Sequence, residues 1–190
     1  MTAALPFVIL DTPRLRLRAH REDDLAALVT LAGVWEVASW LSKLPHPYTD
    51  DHGRGWIAHV RQAHASGDPR SFAIALKDTD QLIGGVGLDG SSGDESREPS
   101  LGYWLGPPHW ARGYAREAVC AVIDYGFCKL QLDSIRAITA PDNLASQKVL
   151  LACGLRKIAD IDLAEPMRRG ARRAPLFRIT RQDHPSPRAV

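Results

Sequence analysis

Little in this chain points to metal, disulfide or membrane chemistry. Three cysteines, Cys120, Cys128 and Cys153, occur among 190 residues, with neither a CxxC pair nor the spacing of metal ligands. Two of them fall in one helical stretch, where cysteine commonly serves as a small buried hydrophobe; a reactive thiol is the alternative. His46, His59, His64 and His109 show no paired spacing supported by a nearby acid, and no metal is expected. No apolar run approaches the ~20 residues of a membrane span, and no charged-then-apolar leader opens the chain. The expectation is a cytoplasmic protein with no membrane partner. A formal net charge of +2 is too small to mark a nucleic-acid binder. The cations are mostly arginine, which suits fixed contacts to phosphate or carboxylate, though genome composition produces the same skew. No internal repeat or linker divides the chain, so one domain over 1–183 with a loose tail at 184–190 is expected.

What is present is a regular alternation of strand and helix patterns. "RLRLRAH" (14–20) alternates strictly, as a half-buried strand does. "REDDLAALVTLAG" follows, with acids in its first turn and Gly33 at its close. After a proline-broken stretch, Thr49 or Asp50 can cap a second helix, "DDHGRGWIAHVRQAHASG". "SFAIALKD", "QLIGGVGLDG" and "LGYWLGP" read as strands, with a polar loop at 91–100. A helix runs from "YAREAV" to "FCKL", with Ala118, Val119, Val122 and Ile123 on one face. "SIRAITA", the helix "NLASQKVLLACG", "LRKIADIDL" and "PLFRIT" complete the pattern. The expected fold is α/β (α+β): a mixed, mostly antiparallel sheet of about seven strands with helices on both faces.

Two stretches carry chemistry. In "HWARGYAREAV" (109–119), Gly113 stands where a helix is about to begin, although glycine weakens a helix interior by about 1 kcal/mol. A glycine followed by a helix start offers unpaired N–H groups and the positive end of the macrodipole, which together suit phosphate. Arg112 and Arg116 flank it and can add charge-assisted bonds. A glycine that merely turns the chain, with solvated arginines, is the competing reading. In "PDNLASQKVLLACGL", Asn143 and Ser146 share the first turn of a helix, either as simple caps or as ligand contacts.

Taken together, "YWLGPPHWARGYAREAV" and, about thirty residues later, "NLASQKVLLACGL" resemble the GNAT superfamily of acetyl-CoA-dependent N-acetyltransferases. The resemblance is nearest to its RimJ/RimL-type branch, the ribosomal-protein N-terminal acetyltransferases, and spans roughly 12–183 with "RLRLR", "LPHPYT" and "LFRITRQD". It implies a GNAT-like fold with acetyl-CoA as co-substrate and an amine acceptor as partner, and it allows a homodimer. It implies that the amides of Arg112, Gly113, Tyr114, Ala115 and Arg116 hold the pyrophosphate. Backbone groups of Tyr103, Trp104 and Leu105 would pair with the pantetheine arm like an added strand. Asn143 would bond the cofactor, and Ser146 would stabilise or protonate the departing thiolate. Lys148 is a candidate phosphate contact or a solvated lysine. Trp35, Trp40 and Trp56 would border the acceptor groove or pack in the core.

Three departures from the branch pattern stand out. Ala111 replaces a frequent glycine, Leu155 an aromatic after Gly154, and Ser100 an acid before "GYW". With the last, a general base is not evident; Asp94, Glu95 and Glu98 are near in sequence but belong to a charged loop. At pH 7 a lysine near 10.4 costs about 4.6 kcal/mol to deprotonate, an α-amine near 8 only about 1. The expected acceptor is therefore a protein or peptide N-terminal α-amine. Small amines (an aminoglycoside, a polyamine, an amino-acid analogue) form one alternative, favoured by an acceptor cleft rich in Asp and Glu. A non-catalytic acyl-CoA sensor is the other; it would have no use for Ser146 beside the sulfur.

Overall fold

Side-chain direction follows the alternation along the second strand: Leu15 and Leu17 are fully buried on one face of a sheet, while Arg16 and Arg18 turn to the other, where Arg18 is also buried in its pair with Asp24. The computed structural model describes residues 7–90 and 98–184. Its strands are β1 (Leu10–Asp11), β2 (Leu15–Arg18), β3 (Ser71–Leu76), β4 (Leu82–Asp89), β5 (Ser100–Leu105), β6 (Ser134–Ile138), β7 (Arg156–Asp162) and β8 (Arg173–Thr180). They form one eight-stranded sheet in the order β1-β2-β3-β4-β5-β6-β8-β7. All neighbours are antiparallel except β5 and β6. The strand beyond the expected seven is β1, two residues that pair Leu10 with Leu17.

Helices cover both faces. On one, α4 (Tyr114–Cys128) and α5 (Leu144–Ala152) close the larger core, where Val119, Val122 and Leu150 meet Phe72, Ile135 and Phe177. On the other, α1 (Leu25–Gly33), α2 (Trp35–Ala38) and α3 (Asp50–Ala65) cover a smaller core of Leu28, Ala32, Tyr48, Ile57, Ala73 and Leu82. Helix α2 is unexpected. Gly33 ends α1 as its last helical residue, and extended Val34 is both the C-cap of α1 and the N-cap of α2. Of the two caps weighed for α3, Thr49 is the one used, accepting from the His52 amide.

Leu155, where an aromatic was the pattern, is 1% exposed. Its N–H returns to Leu150 O at 3.1 Å as the chain leaves α5, and both leucines sit in the larger core. The cysteines are half-buried rather than buried, and Cys120 Sγ of α4 lies 2.8 Å from Cys153 Sγ at the end of α5. Of the tail expected from 184, only His184 is described; its Nε2 lies 2.8 Å from Asp124 Oδ1. Asp94 and Glu95 fall outside the described residues.

Candidate active site

β5 bonds to its two neighbours very unequally. Against β4 it is paired along its whole length, from Ser100↔Asp89 to Leu105↔Gly84. Against β6 the register has one pair, Ser100↔Arg136, supported by the Arg136 N–H donating to Pro99 O at 3.1 Å. Beyond it the two parallel strands separate, and Tyr103, Trp104 and Leu105 lie on the open side. Backbone groups there lack a strand partner and favour any ligand that can replace one. The Leu105 carbonyl is an exception: it accepts the Trp110 indole N–H at 2.7 Å.

The chain then reaches α4 through two successive irregularities. Ala111 has φ 58° and Gly113 φ 81°, ψ 0°. Gly113 is therefore glycine because the backbone is left-handed there, a region side chains avoid. Ala111 occupies the same region with a Cβ, at a cost of about 1 kcal/mol. No side chain caps α4, and its first backbone bond runs from Glu117 N–H to Gly113 O at 3.1 Å. The amides of Tyr114, Ala115 and Arg116 precede it and have no acceptor within the helix. Arg112 and Arg116 are exposed beside them.

Behind this turn lies a clamp that sequence reasoning missed. Arg14 donates from Nε to Glu117 Oε2 at 2.7 Å and from Nη1 to Arg112 O at 2.9 Å. Its guanidinium also sits over the Tyr114 ring, 4.7 Å from the centroid. Thr12 Oγ1 donates to Glu117 Oε1 at 2.7 Å. Burial alone would raise the Glu117 carboxyl, but the hydrogen bonds from Thr12 and Arg14 outweigh it and hold it below its ordinary value. Glu117 thus stays an anion, yet its charge is spent on Arg14 rather than on the helix start.

At the start of α5, Asn143 is the cap: its Oδ1 accepts the Ser146 N–H at 3.1 Å. The Ser146 hydroxyl is not part of that cap. It lies 2.8 Å from the Tyr103 hydroxyl, which also comes within 3.1 Å of Ser146 O. Burial pushes the Tyr103 phenol up to about 12, so it is protonated at neutral pH. Its side chain, and not only its backbone, therefore reaches the site. Lys148 is exposed two residues further along α5.

On the other face of the sheet, a cavity of about 950 Å³ opens and continues to Asn143 and Ser146. Trp40, Tyr48, Trp56 and Trp104 give it aromatic walls over a floor that includes Gly85, Gly87 and Gly102. A Cβ on Gly85 would stand 2.8 Å from Trp104 Nε1, so the indole lies close over a bare backbone. Trp35 is elsewhere, half exposed and against His46. Asp89 and Glu165 are the carboxylates along the walls among the described residues, and Asp89 faces Lys43 at 3.4 Å. Glu98 does not reach the cavity: it pairs with Arg178 at 2.6 Å and accepts from Ser134 at 2.9 Å.

The β7–β8 loop forms a strap over this space. Arg168 donates to Leu44 O, Arg169 stacks on Trp40 with 4.1 Å to the ring centroid, and Arg169 Nε lies 3.2 Å from Asp142 Oδ2. At the inner wall His20 is 2% exposed, and neither ring nitrogen has a partner among the described residues. Burial lowers it to about 4, so its imidazole is neutral at pH 7. None of these contacts is visible in the sequence, because each joins segments far apart in the chain.

Residues 14–156 match the family model described as an acetyltransferase (GNAT) domain. The uncharacterized N-acetyltransferase p20 of Bacillus licheniformis is 34% identical over 149 residues, 78% of this chain and 82% of that protein. Among solved structures, the ribosomal-protein-S5-alanine acetyltransferase of Vibrio fischeri superimposes with a TM-score of 0.79 at 21% identity, covering 93% of this chain and 98% of its own. RimJ of Mycobacterium smegmatis, in complex with CoA-disulfide, gives 0.74 at 22% identity over 90% of this chain and 84% of its own.

Proposed function

Because the chain belongs to the GNAT acetyltransferase family, whose members take their acetyl group from acetyl-CoA, we propose that its acceptor is a protein or peptide N-terminal α-amine. The make-up of the cavity wall carries this reading. Six aromatic side chains, Trp40, Tyr48, Trp56, Phe72, Tyr103 and Trp104, with Asp89 and Glu165 as the carboxylates among the described residues, suit a peptide better than a polycation, which needs several acids to replace its water. Two structural neighbours whose names place them among the ribosomal-protein acetyltransferases lend support at the level of fold.

The site residues divide the work as follows. Amides from Arg112 to Arg116, with the Arg112 and Arg116 side chains, hold the pyrophosphate at the uncapped start of α4. Exposed Lys148 adds a distal phosphate contact. The open edge of Tyr103, Trp104 and Leu105 holds the pantetheine arm, and the amide nitrogen of Asn143 bonds it from α5. The acceptor's neutral nitrogen then attacks the thioester carbonyl, forming the C–N bond as the C–S bond breaks. The proton leaving nitrogen balances the one the thiolate finally takes up. The Tyr103 hydroxyl lies 2.8 Å from Ser146 Oγ and 3.1 Å from Ser146 O, and when it donates to Oγ the serine hydroxyl is free to donate to sulfur. A phenol at about 12 is a poor acid towards a thiolate whose thiol lies near 8.5. The pair therefore stabilises charge on sulfur, and the final proton comes through water.

Thiol release tests this reading. Purified protein with acetyl-CoA is offered hexapeptides with free N-termini, the same peptides N-terminally blocked but bearing lysine, spermidine, and an aminoglycoside. Release with the free N-termini alone is expected. Release confined to spermidine or the aminoglycoside overturns the peptide reading, and no release with any of these amines favours the sensor.

A further inference from the structure

His20 is the buried side chain whose polarity the fold leaves unexplained. Arg18 pairs with Ala73 in the β2–β3 ladder, so His20, two residues on, stands level with Ser71 and on the same face. Ser71 pairs with Gly87, and Gly87 with Gly102. All four residues line the cavity, so its floor runs from the β5 cleft to His20 over side chains no larger than serine. Three strand spacings make that floor about 14 Å long. An extended peptide covers about 13–14 Å with four residues.

The surroundings of His20 explain neither ring nitrogen. Trp56 of α3 meets it edge-on at 6.2 Å between centroids. Asp24 and Arg18 act on its charge but bond each other in a buried pair, Nη1 to Oδ2 at 2.7 Å and Nη2 to Oδ1 at 2.9 Å. His64, the remaining titratable neighbour, is held below its ordinary value by burial and bonds Ser71 O at 2.9 Å. A polar group buried without a partner destabilises a fold unless something later pairs with it.

We propose that His20 is a specificity-determining residue that hydrogen-bonds a neutral polar side chain, a hydroxyl or carboxamide, on the third or fourth residue of the acceptor peptide. This rests on the α-amine reading above. A neutral imidazole offers one donor and one acceptor. A carboxylate or an ammonium would be stripped of water beside an Asp24–Arg18 pair whose charges already bond each other, whereas a hydroxyl or amide satisfies both ring nitrogens. A site built to bond such a group rejects an isostere lacking it, because its own polar atoms are then left unpaired.

The test uses matched hexapeptides with free N-termini that carry Thr or Val, and Asn or Leu, at positions three and four. Wild-type enzyme is expected to prefer the polar member of each pair by at least tenfold in kcat/KM, mostly through KM. In His20→Leu the ratio should fall to about one, and in His20→Asn part of it should remain. Acetyl-CoA affinity, measured by calorimetry, and melting temperature report whether each variant is folded. Should His20→Leu not fold, the His20 ring resonances of wild type must shift with the polar peptide and not with the apolar one. A preference that survives in His20→Leu, equal use of both peptides by wild type, or unmoved ring resonances overturns the inference while leaving peptide acetylation standing. Failure of every peptide to release thiol is a different result, removing the α-amine reading and this inference with it.

Discussion

The two faces of the sheet are built in opposite ways. On the α4/α5 face the site is framed mainly by backbone: an uncapped helix start, an open strand edge and a capped turn, each set by a few consecutive residues. On the α1–α3 face it is made of side chains drawn from β2, α3, the 40–45 loop and the β7–β8 strap, over a smaller core. The first suits a ligand that never changes, since amide positions shift little when side chains are exchanged. The second suits a ligand that differs from one enzyme to the next.

This contrast can be broken most strongly through His20, a polar group on the α1–α3 face with no partner among the described residues. Its imidazole lies at about 4 in the folded protein against 6.5 in the unfolded chain, so between those values the unfolded chain holds the extra proton. Stability is therefore intact above pH 6.5 and falls as pH drops towards 4, by up to about 3 kcal/mol. Denaturant titrations of wild type and His20→Leu should diverge over that window, with the variant flatter; parallel curves would show that His20 is not buried as a base. Asp24, Arg18 and His64 also act on its charge, so the window is read as the difference between the two proteins.

On the other face, Ser146→Ala should lower kcat about 10²-fold, a magnitude typical of losing one preorganised donor, with little change in acetyl-CoA affinity. The cap uses the Ser146 amide and not its hydroxyl, so the melting temperature should barely move. A normal kcat with a lowered melting temperature would make Ser146 purely structural. Gly113→Val places a branched side chain at φ 81°, where its Cβ meets Arg14 Nη2 at 3.3 Å. Acetyl-CoA affinity should weaken about tenfold, matching about 1–2 kcal/mol of left-handed strain. An unchanged calorimetric Kd in the folded variant would remove the anion-site argument.

Smaller effects sharpen the contrast. Ala111→Gly releases the strain at φ 58° and should raise stability by about 1 kcal/mol, read as a higher denaturant midpoint; a drop would mean the Cβ packs usefully. Without a dedicated base, kcat/KM for an α-amine should rise with pH and level off near 8, the amine's own value. Asp89→Asn, Glu165→Gln and Glu98→Gln should each change that profile by less than about threefold. A limb near pH 5–6 that stays put as the acceptor's pKa is varied, and disappears in one of them, would identify an enzyme-owned base.

Legibility in the sequence followed the same division. Strand alternation at 14–18 and the face of α4 could be read directly, because local periodicity reports burial. A special glycine at 113 could be read, though not its left-handed backbone, and a cap at Asn143 as one of two readings, because each is decided within four residues. Tyr103 was legible only as a strand residue; its hydroxyl matters through Ser146, 43 positions away. His20 passed as one more position in an alternating run, since nothing local reveals that both nitrogens lack a partner. The two-residue β1 and the four-residue α2 are too short to show a period at all. Arg168 and Arg169 read as surface charge until folding brings them to Leu44 and Trp40.

The single ladder pair between β5 and β6 has a consequence for how this protein avoids its neighbours. Exposed strand edges invite other chains to add themselves, and proteins usually defend them at the rim of a sheet. Here an edge lies in the middle of the sheet, bracketed by Ser100↔Arg136 at one end and by α5 across the gap. A visiting β-strand would need room on both sides for its own side chains, and the Tyr103–Ser146 contact closes one of them. A slender chain with an amide every few bonds needs no such room. The fold keeps that edge open to a slender chain while closing it to a visiting β-strand.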